Sequence, residues 1–417
     1  MRMEIKKLNR DDFLAFADIT VQAYPANREN TVEYKQKLAD TYFKNQEESG
    51  NTEYYGLFRD SKLLGGMRIN TFEMNFFGKI VHAGGIGSVA VDLLHKKEKV
   101  AKALVEFYLR HFREQGVSYA MLYPFRPDFY KKMGFGYGPK MNQYRITPNS
   151  FPLVSKEGIS LLTAGDQEKI KECHNRYAAR THGMIMKTDW DSAAIFKNPD
   201  NRVVGAIEGD QLKGYLIFGF EPAASSNFLR NNLVIREMVY ETPDALACLA
   251  TFLHTQADQI ERVIINTQDD ALEFMFGDVR NGSGNLIPSV YHESNTAGVG
   301  IMYKVLDFDS LISDLEGRNF NGVSTCLSLT VSDSFEFNEP RKLGLRLTNG
   351  IISTAGLREA EFDIELDIAN LSSLFIGAVD ARRLYDYGRL RISDSSFFEM
   401  IVRAFQSPEK PICMRAF

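Results

Sequence analysis

Between Ser88 and Leu104 the chain changes character twice, and this constrains its fold more than any other stretch. Ser88-Val-Ala-Val-Asp92 ends a β-rich run, Leu93-Leu-His-Lys-Lys-Glu-Lys99 is a basic loop, and an amphipathic helix follows at once. Val100, Leu104, Phe107, Tyr108, His111 and Phe112 recur at helical spacing, which predicts a helix over Lys97–Gln115 with Gly116 as its stop. Strand, cationic loop and helix in that order form an anion site. Free N–H groups and the helix dipole at a helix start both attract negative charge. About 25 residues on, Phe129-Tyr-Lys-Lys-Met-Gly-Phe135 sets a tyrosine beside a glycine turn.

The surrounding order of elements is regular. Helices are expected over Asp11–Ala23 and Thr31–Gln46, and strands over Tyr54–Phe58 and Leu63–Asn70, joined at Arg59-Asp-Ser-Lys62. Phe72–Phe76, Ile80–Ala83 and Gly84–Val91 add sheet. The glycines of the last segment permit a bulge or a close approach to the backbone. Tyr119–Tyr123 is a strand and Asp128–Lys132 a helical turn. A second region, after the break at Pro148–Pro152, repeats this order. Its strands are Val203–Glu208, Leu212–Phe220, Leu233–Tyr240 and Arg262–Asn266, with a helix over Pro243–Gln259. Its strand-to-helix loop, Glu241-Thr-Pro-Asp244, has neither glycine nor basic residue, so no pyrophosphate is expected there. From Ala297 a third, α+β region holds a run of antiparallel strands: Cys326–Val331, Lys342–Leu347, Ile351–Ala355 and Phe362–Leu366. The reading is three domains, 1–148, 149–296 and 297–417.

A length of 417 residues exceeds one ordinary core, and 44% hydrophobic with 25% charged residues is a soluble globular composition. A net charge of −5 argues against a nucleic-acid partner and suits a cationic substrate. Cys173, Cys248, Cys326 and Cys413 are too scattered for a zinc site or disulfide framework, and the histidines show no metal spacing. No run approaches the ~20 apolar residues of a membrane span, and the N-terminus has no apolar signal core. These features point to a cytoplasmic protein with no metal and no membrane partner.

These motifs resemble the GNAT acetyltransferase superfamily, and more closely its Eis (enhanced intracellular survival) branch. The resemblance implies tandem GNAT-like domains of α/β type, each a mixed sheet with flanking helices, followed by an α+β domain like sterol carrier proteins. It implies acetyl-CoA as co-substrate, bound by the first domain only. The family's loop reads basic-basic-x-Gly-x-Ala. Lys96, Lys97, Val100 and Ala101 match it, and Lys99 stands where the glycine is expected. Backbone groups of Val89, Ala90 and Val91 are expected to hold the pantetheine arm and polarise the thioester carbonyl. Tyr130 matches the family's general acid toward the sulfur, since a phenol stays protonated at neutral pH. Phe417 matches a C-terminal residue whose carboxylate serves as base. The same resemblance implies a primary amine on a polycationic small molecule as acceptor, aminoglycoside or polyamine, and a homo-oligomer, such as a hexamer. The rival readings are a non-catalytic acyl-CoA or lipid-binding protein on the same scaffold, and a transferase of another acyl group.

Overall fold

The structure is a computed structural model that describes residues 3–224, 227–336 and 339–417. The first region contains β1 (Met3–Lys7), α1 (Asp12–Ala23), α2 (Val32–Glu48), β2 (Thr52–Arg59), β3 (Lys62–Phe76), β4 (Lys79–Val91), α3 (Val100–Glu114), β5 (Tyr119–Leu122), α4 (Pro127–Lys131) and β6 (Gly136–Tyr137). The second contains β7 (Met141–Ile146), β8 (Ile159–Leu161), α5 (Gln167–Ala178), α6 (Asp189–Lys197), β9 (Arg202–Glu208), β10 (Gln211–Pro222), β11 (Asn231–Tyr240), α7 (Pro243–His254) and β12 (Ile260–Thr267). After β13 (Leu286–Ile287), β14 (Tyr291–His292) and β15 (Asn295–Gly298) come β16 (Met302–Val305) and α8 (Phe308–Asp314). The last region has β17 (Thr325–Ser332), β18 (Arg341–Thr348), β19 (Ile351–Ala355), β20 (Phe362–Asp367), α9 (Ile368–Phe375), α10 (Ala381–Asp386), β21 (Leu390–Ile392) and α11 (Phe398–Phe405).

The chain forms two compact units that do not follow sequence order. One gathers 1–138, 301–408 and 415–417, and the other 139–300 and 409–414. In the first unit a seven-stranded sheet runs β1-β2-β3-β4-β5-β16-β6. Strand β16, although it follows the second region in sequence, lies in this sheet, antiparallel to both β5 and β6. In the second unit the order is β15-β7-β12-β11-β10-β9-β8. Strand β7, which precedes the Pro148–Pro152 break, belongs to that second sheet.

Several segments differ from the sequence reading. Leu63–Asn70 and Phe72–Phe76 form one strand, β3, and Ile80–Ala83 with Gly84–Val91 form one strand, β4. The two pair almost end to end, so the ladder carries each through residues that read as breaks. Helix α3 starts at Val100 instead of Lys97, because Lys97 and Lys99 have φ of 66° and 63°, outside the helical region. Helix α7 ends at His254. The strands of the last region are not all antiparallel: β17 pairs in parallel with β20, within the sheet β19-β18-β17-β20-β21.

The core of the first unit lies between α3 and the β3–β5 sheet. Val100, Leu104, Val105, Tyr108, Leu109 and Phe112 form one buried helix face, as their spacing requires. The Tyr108 hydroxyl bridges two strands, donating to the Gly84 carbonyl at 2.7 Å and accepting from the Met121 N–H at 3.0 Å. On the other side of the sheet α1 and α2 pack through Phe13, Phe16 and Tyr42 onto Tyr54, with Ala90 in the same cluster. The last region joins this unit through α9, whose backbone runs against β6. A Cβ on Gly136 would lie 2.0 Å from the Ala369 carbonyl oxygen and 2.4 Å from Ser373 Oγ. Backbone cannot yield there, so Gly136→Ala is expected to cost about 2 kcal/mol. A lowered urea midpoint would register the loss, and an unchanged midpoint would contradict this packing.

Candidate active site

The site begins where β4 leaves its neighbour. Parallel pairing of β4 with β5 runs from Ala83↔Tyr119 to Ile86↔Leu122 and stops there, while β4 continues to Val91 beside β3. At the parting β4 carries a bulge. Gly66 opposes Ala90 and Arg68 opposes Gly87, so Met67 faces two residues, and Ser88 takes a φ of 50°. The bulge turns backbone polar groups of Ser88 and Val89 out of the regular ladder. One of them, the Val89 carbonyl, accepts a 2.7 Å hydrogen bond from the Tyr24 hydroxyl.

A cleft of about 550 Å³ opens against this edge. Seven of the eight residues expected to bind the co-substrate line it: Val89, Val91, Lys96, Lys97, Lys99, Val100 and Ala101. Ala90 points the other way, 1% exposed, into the cluster with Phe16, so only its backbone is available to the cleft side. Tyr24, Phe125, Arg126, Phe129 and Met133 complete the wall. The cleft is therefore apolar near β4 and cationic near α3. Among the described residues Lys96, Lys97 and Lys99 form no ion pair, whereas Lys102 is paired with Glu106 at 3.3 Å and Arg126 with Asp128 at 2.6 Å. Asp92 shapes the loop, accepting from the Leu94 N–H at 2.8 Å and lying 3.0 Å from His95 Nδ1.

The α3 N-terminus has no side-chain cap, and Lys99 occupies the N-cap in left-handed conformation, φ 63° and ψ 14°. The geometry that a glycine adopts freely is thus kept with a lysine. Its N–H groups and three unpaired ammonium groups face the same cleft, which fits a pyrophosphate-bearing ligand. The corresponding turn of the second unit is built differently. Thr242 caps α7 by accepting from the Ala245 N–H, and Glu241 is held by Arg176 at 2.6 Å and Lys213 at 3.7 Å.

Tyr130 sits on α4, 3% exposed, edge-on to Phe125, Phe129 and Phe135. It lies behind the lining residues Phe129 and Met133. Burial, and then the nearby Tyr24 phenol, push its pKa well above the ordinary tyrosine value. The hydroxyl therefore stays protonated far into alkaline pH. Among the described residues it makes no hydrogen bond, which leaves its proton available.

Phe417 packs its ring on Phe72 and Tyr123, with centroids 4.9 and 5.2 Å away. The seat is made by glycines. A Cβ on Gly85 would lie 3.0 Å from the Phe417 ring, and one on Gly87 would lie 3.0 Å from its carboxyl carbon and 3.0 Å from an Arg68 guanidinium nitrogen. Gly84, on the opposite face, makes room for Phe112 instead. The carboxyl of Phe417 thus rests on the bulge that opens the cleft. The Tyr123 hydroxyl donates to the Arg415 carbonyl at 3.1 Å and steadies this tail.

Tyr24, Phe125 and Arg126 were not selected from sequence. Tyr24 ends an ordinary amphipathic helix, and Arg126 lies in Pro124-Phe-Arg-Pro127, whose prolines signal only a loop. Among the described residues no group of three or more His, Cys, Asp or Glu is placed to hold a metal, and no helix is long and apolar enough to cross a membrane. The strain at Lys99 is measurable without any ligand. Lys99→Gly is expected to raise stability by about 1 kcal/mol, a Tm increase of about 2 °C in a melting curve. A lower Tm would mean that the lysine side chain holds the loop together.

Residues 4–138 match the acetyltransferase (GNAT) domain family, residues 183–305 a second acetyltransferase (GNAT) domain family, and residues 313–414 the sterol carrier protein domain family. An uncharacterized N-acetyltransferase of Streptomyces griseus is 22% identical over 362 residues, 82% of this chain and 83% of its own. Among solved structures, a GCN5-related N-acetyltransferase from Anabaena variabilis aligns with a TM-score of 0.81 at 20% identity, and Eis1 from Mycobacterium abscessus with 0.75 at 17%. Each alignment covers 100% of both chains. With an acetyltransferase domain over the cleft, a second one after it and a sterol carrier protein domain at the end, this chain belongs to the GNAT acetyltransferases and has the Eis-like order of domains.

Proposed function

We propose that this N-acetyltransferase transfers the acetyl group of acetyl-CoA to a primary amine of a polycationic small molecule, of aminoglycoside or polyamine type. The observation that carries the proposal is the parting of β4 from β5 beside a turn with three unpaired lysines. The co-substrate supplies the activated acyl group. The backbone of Val89–Val91 orients it, with the Tyr24 hydroxyl holding the Val89 carbonyl and so the twist of that edge. Lys96, Lys97, Lys99 and the first turn of α3 neutralise its phosphates. Tyr130 donates a proton to the departing sulfur. The Phe417 carboxyl, anchored by its ring, accepts the proton the amine must lose. The acceptor class is supported by the net charge of −5, by this carboxyl, and by aromatic rings beside it. One of those rings, Phe72, already carries the Arg415 guanidinium at 4.9 Å.

The test is CoA thiol release from acetyl-CoA against aminoglycosides, polyamines and lysine peptides. Turnover is expected with the polycationic small molecules first. Tyr130→Phe is expected to lower kcat by about 100-fold with KM for acetyl-CoA little changed. No release with any amine from folded protein would overturn the proposal. Because burial raises the phenol's pKa, kcat of the wild type should show no loss of the acid as pH rises from 7 to 9.5. A fall in kcat across that window that is absent in Tyr130→Phe would show the phenol ionising early and refute its buried state. Lys99→Gly should raise KM for acetyl-CoA severalfold at low salt, a gap that narrows as salt screens the lost charge.

A further inference from the structure

The turn that carries Tyr130 is held from outside the first acetyltransferase segment. Lys304, on β16, is 0% exposed. Its ammonium donates to the Met133 carbonyl at 2.9 Å. Met133 is the third residue after Tyr130, and its own N–H is bonded to the Tyr130 carbonyl at 2.9 Å, as is the Phe135 N–H at 3.1 Å. Gly134, with a φ of 86°, lets the ammonium in, since a Cβ there would lie 2.4 Å from Lys304 Nζ.

A buried ammonium needs compensating charge. It is supplied from the sterol carrier segment, by Asp333 at 2.6 Å and Glu336 at 3.1 Å. Arg113 of α3 closes the network, gripping Glu336 through both oxygens at 2.7 and 2.9 Å. Asp333 also accepts from the Phe335 and Glu336 N–H groups, which fixes its carboxylate. An apolar residue at 304 would complete the sheet without bringing a charge inside. The charge is accounted for by where it is delivered, a single carbonyl on the Tyr130 turn.

We infer that Lys304 is a positioning residue for the acetyl transfer, fixing the Tyr130 turn through the Met133 carbonyl, and that Asp333 of the sterol carrier segment holds Lys304 in place. The inference rests on the reading of Tyr130 as general acid. The sterol carrier segment then takes part in catalysis through a buried ion pair, whatever else it binds.

A double-mutant cycle with full-length protein tests this. Lys304→Gln, Tyr130→Phe and the double variant are assayed for kcat and for KM of acetyl-CoA, and Asp333→Asn, which keeps the shape, serves as the milder probe should Lys304→Gln fail to fold. Lys304→Gln is expected to lower kcat at least about tenfold in the wild-type background. The same change should cost less than about twofold in the Tyr130→Phe background, and KM for acetyl-CoA should move by less than about twofold. Asp333→Asn should show the same pattern with a smaller loss. Losses that multiply in the double variant, or a kcat untouched by both probes, would overturn the inference. An unimpaired Tyr130→Phe would instead remove the acid reading on which it rests.

Discussion

Everything at the candidate active site depends on two strands parting. A parallel ladder left complete from Ala83 to Val91 would bury the edge that the acyl group must reach. Two features open the edge: the bulge at Ser88 turns β4, and β5 gives out at Leu122. The Tyr108 hydroxyl ties β4 to β5 just before the split, at Gly84 and Met121, and so sets where the parting begins. A serine with φ of 50° costs roughly 1 kcal/mol. That strain persists because β3 and β4 are paired in register on both sides of it. The opening is thus built into the pairing of the sheet.

The cationic turn follows a different logic. Lys97 and Lys99 both lie in the left-handed region, where glycine would be at ease. The backbone conformation suited to a phosphate is retained, and the side chains add charge that glycine lacks. Local stability is exchanged for attraction to an anion, as expected at functional sites. The turn after β11 in the second unit makes the contrast, since its helix start is capped by Thr242 and its acid is paired with Arg176.

Much of this was legible in the residues. The periodicity of Val100 to Phe112 locates α3, and the glycines at 84, 85 and 87 signal the close approaches that Phe112 and Phe417 make. The helix start was read three residues early, because backbone sign at Lys97 and Lys99 is invisible to a pattern of apolar positions. The membership of β7 and β16 was also hidden. A strand's type is local, but its partners are chosen by which sheet edge needs covering, and both strands pair directly with strands far away in sequence. The parallel pair β17 and β20 escaped for the same reason. Tyr24, Arg126 and Lys304 carry no local signal at all; their importance comes from long-range contacts.

The position of β16 has a consequence for how the protein is made. Strands β5 and β6 do not touch each other; each pairs with β16, residues 302–305. A ribosome that has released only the first 138 residues has delivered both edges and nothing to fill the gap between them. Such an intermediate exposes two unpaired strand edges next to the Tyr130 turn, a surface prone to wrong pairing. The joining of β6 to this sheet therefore waits for residues 302–305, and a fragment cut at the apparent end of that region would lack the strand that lies between β5 and β6.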